Sequence, residues 1–222
     1  MYFKNRAEAG RKLASKLKSY DNQQSAVIAL TAGGVLVGAQ IAIHLHANLM
    51  VLANDKIILP GESDPIATMT SNTLTYNHSL SQGQVEEFVT EYHNTIEAQR
   101  IEKFHKLNQL LSDGGDINPS FLKRHVIILV SDALQSGTSL EVAADFLKSI
   151  KYKKLVIATP LATVTAVDKM HLIGDDIYCL SVTENLMNTD HYYEENIVPD
   201  HQAALKIMRN ISISWDLNGA AA

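Results

Sequence analysis

Cysteine is almost absent from these 222 residues: Cys179 stands alone. No intramolecular disulfide can form, which fits a reducing, cytoplasmic compartment. An excess of basic charge is also missing. Nineteen Lys and Arg face 24 Asp and Glu, for a formal net charge of -5. A dedicated nucleic-acid binder would carry a basic face, so that class is excluded, while small anionic ligands remain open because backbone amides can hold them. Low-complexity tracts and internal repeats are missing too. The hydrophobic fraction of 46% and charged fraction of 19% are those of an ordinary globular chain with enough apolar surface for a full core.

No formally charged residue occurs between Asp21 and Asp55, a length that could cross a bilayer. Thr31-Ala32-Gly33-Gly34 breaks the stretch with a turn, Gln40, His44 and His46 interrupt its apolarity, and no Lys/Arg-rich flank orients it. A buried strand, a turn and a helix explain it better than a membrane span. The N-terminus has no apolar segment of signal-peptide type in its first twenty residues.

What is present alternates. Residues 6–19 have helical spacing through Ala9, Leu13, Leu17 and Tyr20. Residues 26–30, 125–130 and 155–159 are short continuous apolar runs, the pattern of strands buried on both faces, and 48–53 and 177–182 are further strands. Helices are predicted over 35–46, 138–150, 164–171 and 202–208. The longest helix is expected over 84–111, with Val85, Phe88, Tyr92, Ile96, Phe104, Leu107 and Leu111 on one face, Ser81 and Gln84 as a capping box and Asp113–Asp116 as its end. Strands alternating with helices imply an α/β fold with a doubly wound, mainly parallel sheet and helices on both faces. Residues 56–77 depart from this rhythm and predict a small antiparallel hairpin excursion. Residues 183–222 form a tail expected to pack on the single domain.

Ligands of parallel α/β sheets bind beyond the carboxyl ends of strands. Two turns lie there, Thr31–Gly34 and Ser131–Ser139. The second leaves a buried strand and enters a helix, so free amides and the helix dipole converge on one point. Gly137 permits close backbone approach, Ser136, Thr138 and Ser139 add hydroxyls, and Asp132 can accept from sugar hydroxyls. Spacing alone is equally satisfied if Ser136 or Thr138 simply caps the helix.

Val126–Ser139 resembles the phosphoribosyl pyrophosphate motif of type I phosphoribosyltransferases: an apolar run, two acids and a segment of the form A-T-G-A-T. The resemblance extends along the chain. Arg6-Ala7-Glu8-Ala9-Gly10 with Leu13-Ala14 is similar to the R-x-E-A-G-x-x-L-A opening of a bacterial subgroup, and Ala29–Val35 to its A-L-P-R-G-G-V pyrophosphate loop. Glu97–Arg100 is similar to its E-x-x-R, and His191–Glu195 to its W-Y-E-D-F segment. The resemblance implies that Ser136, Gly137, Thr138 and Ser139, with the Gln135 backbone, hold a 5-phosphate. It implies that Asp132 holds ribose hydroxyls, that Thr31, Ala32, Gly33 and Gly34 face the pyrophosphate, and that Mg²⁺ rides on the diphosphate. The ligand it implies is a small phosphorylated molecule, and the assembly a homodimer.

Three positions depart from the pattern. Ser131 stands at the first acid, Ala32 where an arginine faces the departing anion, and Ala133 at a glycine. Losing charge-assisted contacts made in the transition state costs about two to three orders of magnitude in rate. Three classes follow: a phosphoribosyltransferase with an unidentified acceptor, a binder of a phosphosugar or nucleotide with impaired transfer, and a structural homodimer reusing the scaffold.

The remaining candidates read as structure. Cys179 lies in an apolar strand as an inert thiol. His44 and His46, two apart in a helix, point to different faces and form no metal site. The lysines of residues 151–154 and the acid pair Asp175-Asp176 are exposed turns. Tyr192 and Tyr193 suit either stacking on a base or packing of the tail.

Overall fold

In the computed structural model, residues 2–62, 65–70, 73–110, 117–186 and 188–219 are described. Five parallel strands, β1 (Ser25–Ala29), β2 (Asn48–Val51), β6 (Val126–Val130), β7 (Lys154–Thr163) and β8 (Asp176–Thr183), form one sheet in the order β2-β1-β6-β7-β8. The apolar runs read as two-faced strands occupy its centre, and every residue of β1 and β6 is buried. Their side chains alternate between two cores, as the strand period of two requires. Val27, Ala29, Ile128, Val130, Val156 and Ala158 face one side. There they meet Leu13 and Leu17, Val35 and Ile41 of α2 (Ala32–Leu45), and Leu205 and Met208 of α7 (His201–Gly219). Ile28, Ile127, Leu129 and Ile157 face the other side. They pack on Leu140, Ala143 and Leu147 of α5 (Thr138–Leu147) and on Ala166 and Met170 of α6 (Val164–Ile173). Each such aliphatic side chain, fully buried, contributes about 1.5–3 kcal/mol.

The helical stretch expected over residues 6–19 is α1 (Arg6–Ala14) followed by a short 3₁₀ turn at Lys18–Tyr20. Strand β7 runs past the expected end at Thr159 and through Pro160 to Thr163. Proline fits there because β6 pairs with β7 only as far as Ala158, so beyond that point a missing N–H breaks no bond to β6. The long helix expected over 84–111 is two helices, α3 (Gln82–Glu91) and α4 (His93–Leu110). Tyr92, at φ −106° and ψ 23°, leaves helical geometry between them. The Ser81/Gln84 capping box is formed: Gln84 N–H donates to Ser81 Oγ at 3.3 Å and Ser81 N–H to Gln84 Oε1 at 2.9 Å. Phe104, assigned to the inward face, is exposed. Leu111 and the turn at Asp113–Asp116 lie outside the described residues.

The excursion is a three-stranded antiparallel sheet of β3 (Asp55–Ile57), β4 (Ala67–Met69) and β5 (Leu74–Tyr76). It has a small core of its own, in which Ile57, Leu59, Ile66 and Met69 meet Ile96 and Leu107 of α4. Gln99 fastens the two together, accepting from Ile58 N–H at 3.2 Å and donating to Ile58 O at 2.7 Å. On its other side the excursion touches α5, where Thr75 Oγ1 donates to Asp145 at 2.9 Å. No helix among the described residues is long and apolar enough to cross a membrane.

Candidate functional site

Both candidate turns emerge at the carboxyl ends of neighbouring central strands, β1 and β6. The sheet order therefore brings Thr31–Gly34 and Ser131–Ser139 together beyond the carboxyl ends of those strands, the place where parallel α/β sheets bind ligands.

The turn after β6 is anchored before it opens. Leu134 bridges β7, donating its N–H to Leu161 O at 2.9 Å and accepting from Thr163 N–H at 3.0 Å. The Thr163 hydroxyl donates to Gln135 O at 2.5 Å while accepting from Ala166 N–H at 3.1 Å. One side chain thus caps α6 and pins the loop of the neighbouring strand. Gly137 then takes a left-handed conformation at φ 71°, which only glycine adopts without strain. It stands at the N-cap of α5, and as a glycine it offers that helix no side-chain cap. Ser136 and Thr138 instead hydrogen-bond each other at 2.9 Å. The N-cap position that spacing alone left open for Ser136 or Thr138 is thus taken by Gly137, which leaves the capping amides of α5 to partners other than an N-cap side chain.

The turn after β1 is organised differently. Thr31 is the N-cap of α2, its Oγ1 accepting from Gly34 N–H at 2.9 Å and donating to Asp132 Oδ1 at 2.7 Å. Asp132 Oδ2 accepts from Arg6 Nε at 2.7 Å. A Cβ on Gly33 would collide with that carboxylate and lie 2.6 Å from Arg6 Nε, so glycine is needed there for close approach. Arg6 reaches further, to Asn196 Oδ1 at 2.7 Å and Asp190 Oδ1 at 2.8 Å, and its guanidinium lies 4.5 Å from the Tyr193 ring centroid. Tyr193 donates its hydroxyl to the Asp132 carbonyl at 2.7 Å and stacks on Phe3. One arginine thus joins the N-terminal segment, the turn after β6 and the tail.

The electrostatics follow this wiring. Burial alone would lower the Arg6 guanidinium, but the hydrogen bond and charge of Asp132, with Asp190, hold it above its ordinary value. Asp190 is held below the usual carboxylate range by Asn196 first and Arg6 second. Burial raises Tyr193, and the Asp132 charge adds to the shift. Burial likewise raises the Cys179 thiol, consistent with an inert residue.

Ser131 is buried, and its hydroxyl donates to Ala133 O at 2.7 Å. Ala32 is exposed, beside a cleft of about 320 Å³ lined among others by Thr31, Val51, Asn54, Leu107 and Ala204. None of the described residues lining that cleft is charged. Glu97 and Arg100 pair with each other on the surface at 3.2 Å. No metal-binding cluster of His, Cys, Asp or Glu occurs among the described residues.

Two contacts around these turns are not foreseeable from the sequence. Arg6 carries a motif match but no partner, and its counterpart is 126 residues away. Thr163 gives no signal beyond being a threonine ahead of a helix. Tyr193 packs the tail rather than presenting a stacking face, while Tyr192 stacks on Tyr2.

The chain matches the phosphoribosyl transferase domain family over residues 2–201. Two Mycobacterium tuberculosis proteins, each named "Putative phosphoribosyl transferase", are 25% identical over 189 residues, or 81% of this chain. The match spans about 40% of those relatives' length. A solved structure from Thermus thermophilus superposes with a TM-score of 0.70 at 20% identity, covering 95% of this chain and 99% of that one. A Neisseria gonorrhoeae protein solved with bound ppGpp superposes at 0.50 with 10% identity, covering 95% and 96%. With the family matched across nearly its whole length, the chain belongs to the phosphoribosyl transferase domain family.

Proposed function

We propose that this protein binds the 5-phosphate of a ribose phosphate or nucleotide in the loop Gln135–Ser139, and that phosphoribosyl transfer is weak or absent. The observation that carries this reading is the contrast between the two loops. The phosphate loop has a left-handed Gly137 as the N-cap of α5, so the N-cap residue supplies no side chain to the first amides of that helix, features that suit an anion. On the other side, the Asp132 carboxylate already accepts from Arg6 and Thr31, and none of the described residues lining the cleft over Ala32 is a cation that could meet a leaving diphosphate.

Transfer requires the bond from the anomeric carbon to a pyrophosphate oxygen to break as the acceptor bond forms. Charge then develops on both the sugar and the departing diphosphate, and positioned charges must meet it. Ser131, turned to the Ala133 carbonyl, and Asp132, held by Arg6, do not fit a protein-held Mg²⁺. Free ribose hydroxyls reach Asp132 only by sharing it with Arg6 and Thr31. The transferase reading keeps the support of the family and of the names its relatives carry, so an acceptor-dependent activity is the second reading. A cytoplasmic homodimer belongs to both readings, and light scattering on the purified chain tests the dimer.

Calorimetry with ribose 5-phosphate, a nucleoside monophosphate, ppGpp and phosphoribosyl pyrophosphate, with and without Mg²⁺, separates the two readings. The binder reading expects the monophosphates to bind and Mg²⁺ to add little. Binding confined to the pyrophosphate in the presence of Mg²⁺ would favour the transferase.

A further inference from the structure

Beside the phosphate loop lies an ion pair that neither reading uses. Glu141 sits in the first turn of α5, its N–H bonded to Gly137 O at 3.3 Å. Its side chain is only 8% exposed. Oε1 meets Lys169 Nζ of α6 at 2.7 Å, with His78 Nδ1 3.8 Å away. Oε2 is buried and has no hydrogen-bond partner among the described residues. The lysine stem lies against the phosphate loop itself: a Cβ placed on Gly137 would fall 2.7 Å from Lys169 Cδ and 3.1 Å from its Cβ. Thr163 fixes this proximity, since it both caps α6 and holds Gln135. The pair borders a groove of about 290 Å³ shared with His78, Ala144 and Leu172.

A carboxylate in the first turn of a helix is favoured by the dipole, but it competes there with any other anion. A phosphate held at Ser136–Ser139 would share the turn with Glu141, and the lysine paired with that carboxylate has its flexible four-carbon stem against Gly137. Building on the loop reading above, we infer that Lys169 is the cation that serves the bound phosphate, and that Glu141 sets the affinity by holding Lys169 and repelling the ligand. The ligand class is a phosphate monoester dianion, for which one added cation and one removed anion count most.

The test is a titration of the full chain with ribose 5-phosphate at low ionic strength, comparing wild type, Lys169→Met, Glu141→Gln and Gly137→Asp. Lys169→Met is expected to bind about tenfold more weakly, as for loss of a charge-assisted contact. Glu141→Gln is expected to bind several-fold more tightly. A merely structural ion pair would not tighten binding when broken, so that gain is the deciding readout. Glu141→Gln binding no more tightly than wild type, or Lys169→Met binding unchanged, while Gly137→Asp abolishes binding, overturns the inference and leaves the loop reading standing. Wild type binding no phosphate, or Gly137→Asp binding as wild type does, overturns both.

Discussion

Arg6 donates its Nε–H to the Asp132 carboxylate at 2.7 Å, with the arginine side chain 1% exposed and the aspartate side chain 9% exposed. In a site read as binding sugar phosphates, the one remaining acid of the motif thus faces the protein's own N-terminus. The same guanidinium ties in Asp190 and Asn196, so the turn after β6 and the tail share one buried cation.

Removing that cation leaves a buried carboxylate short of its charge partner. Arg6→Ala is expected to cost about 3–5 kcal/mol of stability, as for other broken buried pairs. Arg6→Lys should recover only part, because a point charge cannot replace a fork that spans Asp132, Asn196 and Asp190. Urea denaturation of the two variants beside wild type checks this, and equal midpoints for alanine and wild type would contradict it.

Gly137 is constrained from two directions, by φ 71° and by the Lys169 stem. Gly137→Ala should therefore lose about 1 kcal/mol or more of stability. Gly137→Asp should in addition abolish binding of ribose 5-phosphate, because a carboxylate would enter the anion loop. Thermal unfolding reads the first effect and calorimetry the second.

Acid should weaken the fold through carboxylates whose values are depressed. Asp176 is lowered by Lys154 first and Tyr20 second, and Asp190 by Asn196 and Arg6. A depressed group contributes stability above its unfolded value and loses it as pH falls through the folded one, so the loss lies below about pH 4. Asp190→Asn should flatten that loss. Urea midpoints at pH 6 and pH 3 compare the slopes, and an unchanged slope would contradict the assignment.

Ala32 is exposed at the first position of α2, so a longer side chain can be accommodated without entering the core. If the Thr31–Gly34 loop faces the diphosphate, as the resemblance implies, Ala32→Arg should strengthen binding of phosphoribosyl pyrophosphate about tenfold while leaving ribose 5-phosphate unchanged. Equal gains for both ligands would place the loop elsewhere in the site. Ser131→Asp should be costly by contrast, since it puts a second carboxylate at a buried position whose hydroxyl now serves Ala133.

Local pattern made much of this fold legible. The apolar runs of β1 and β6 state their burial directly, and the strand-to-helix turn at Gly137 announces itself through glycine and hydroxyls. Three features were not legible because their causes are distant in the chain or geometric. The Arg6–Asp132 pair depends on a tertiary approach across 126 residues. The passage of β7 through Pro160 depends on where β6 stops pairing. The break at Tyr92 interrupts a stretch whose apolar spacing is continuous, while Ile96 and Leu107 pack on the small antiparallel sheet. The role of Asp132 is the instructive case: its motif position implies sugar hydroxyls, and its observed donors are Arg6 and Thr31.

The most direct measurement is amide chemical-shift mapping of the isotope-labelled protein as ribose 5-phosphate is added. Large shifts at Gln135–Ser139, with small ones at Thr31–Gly34, are the predicted result. Shifts centred on the cleft at Val51–Asn54, with Gly137 and Thr138 unmoved, would contradict a phosphate site at the start of α5.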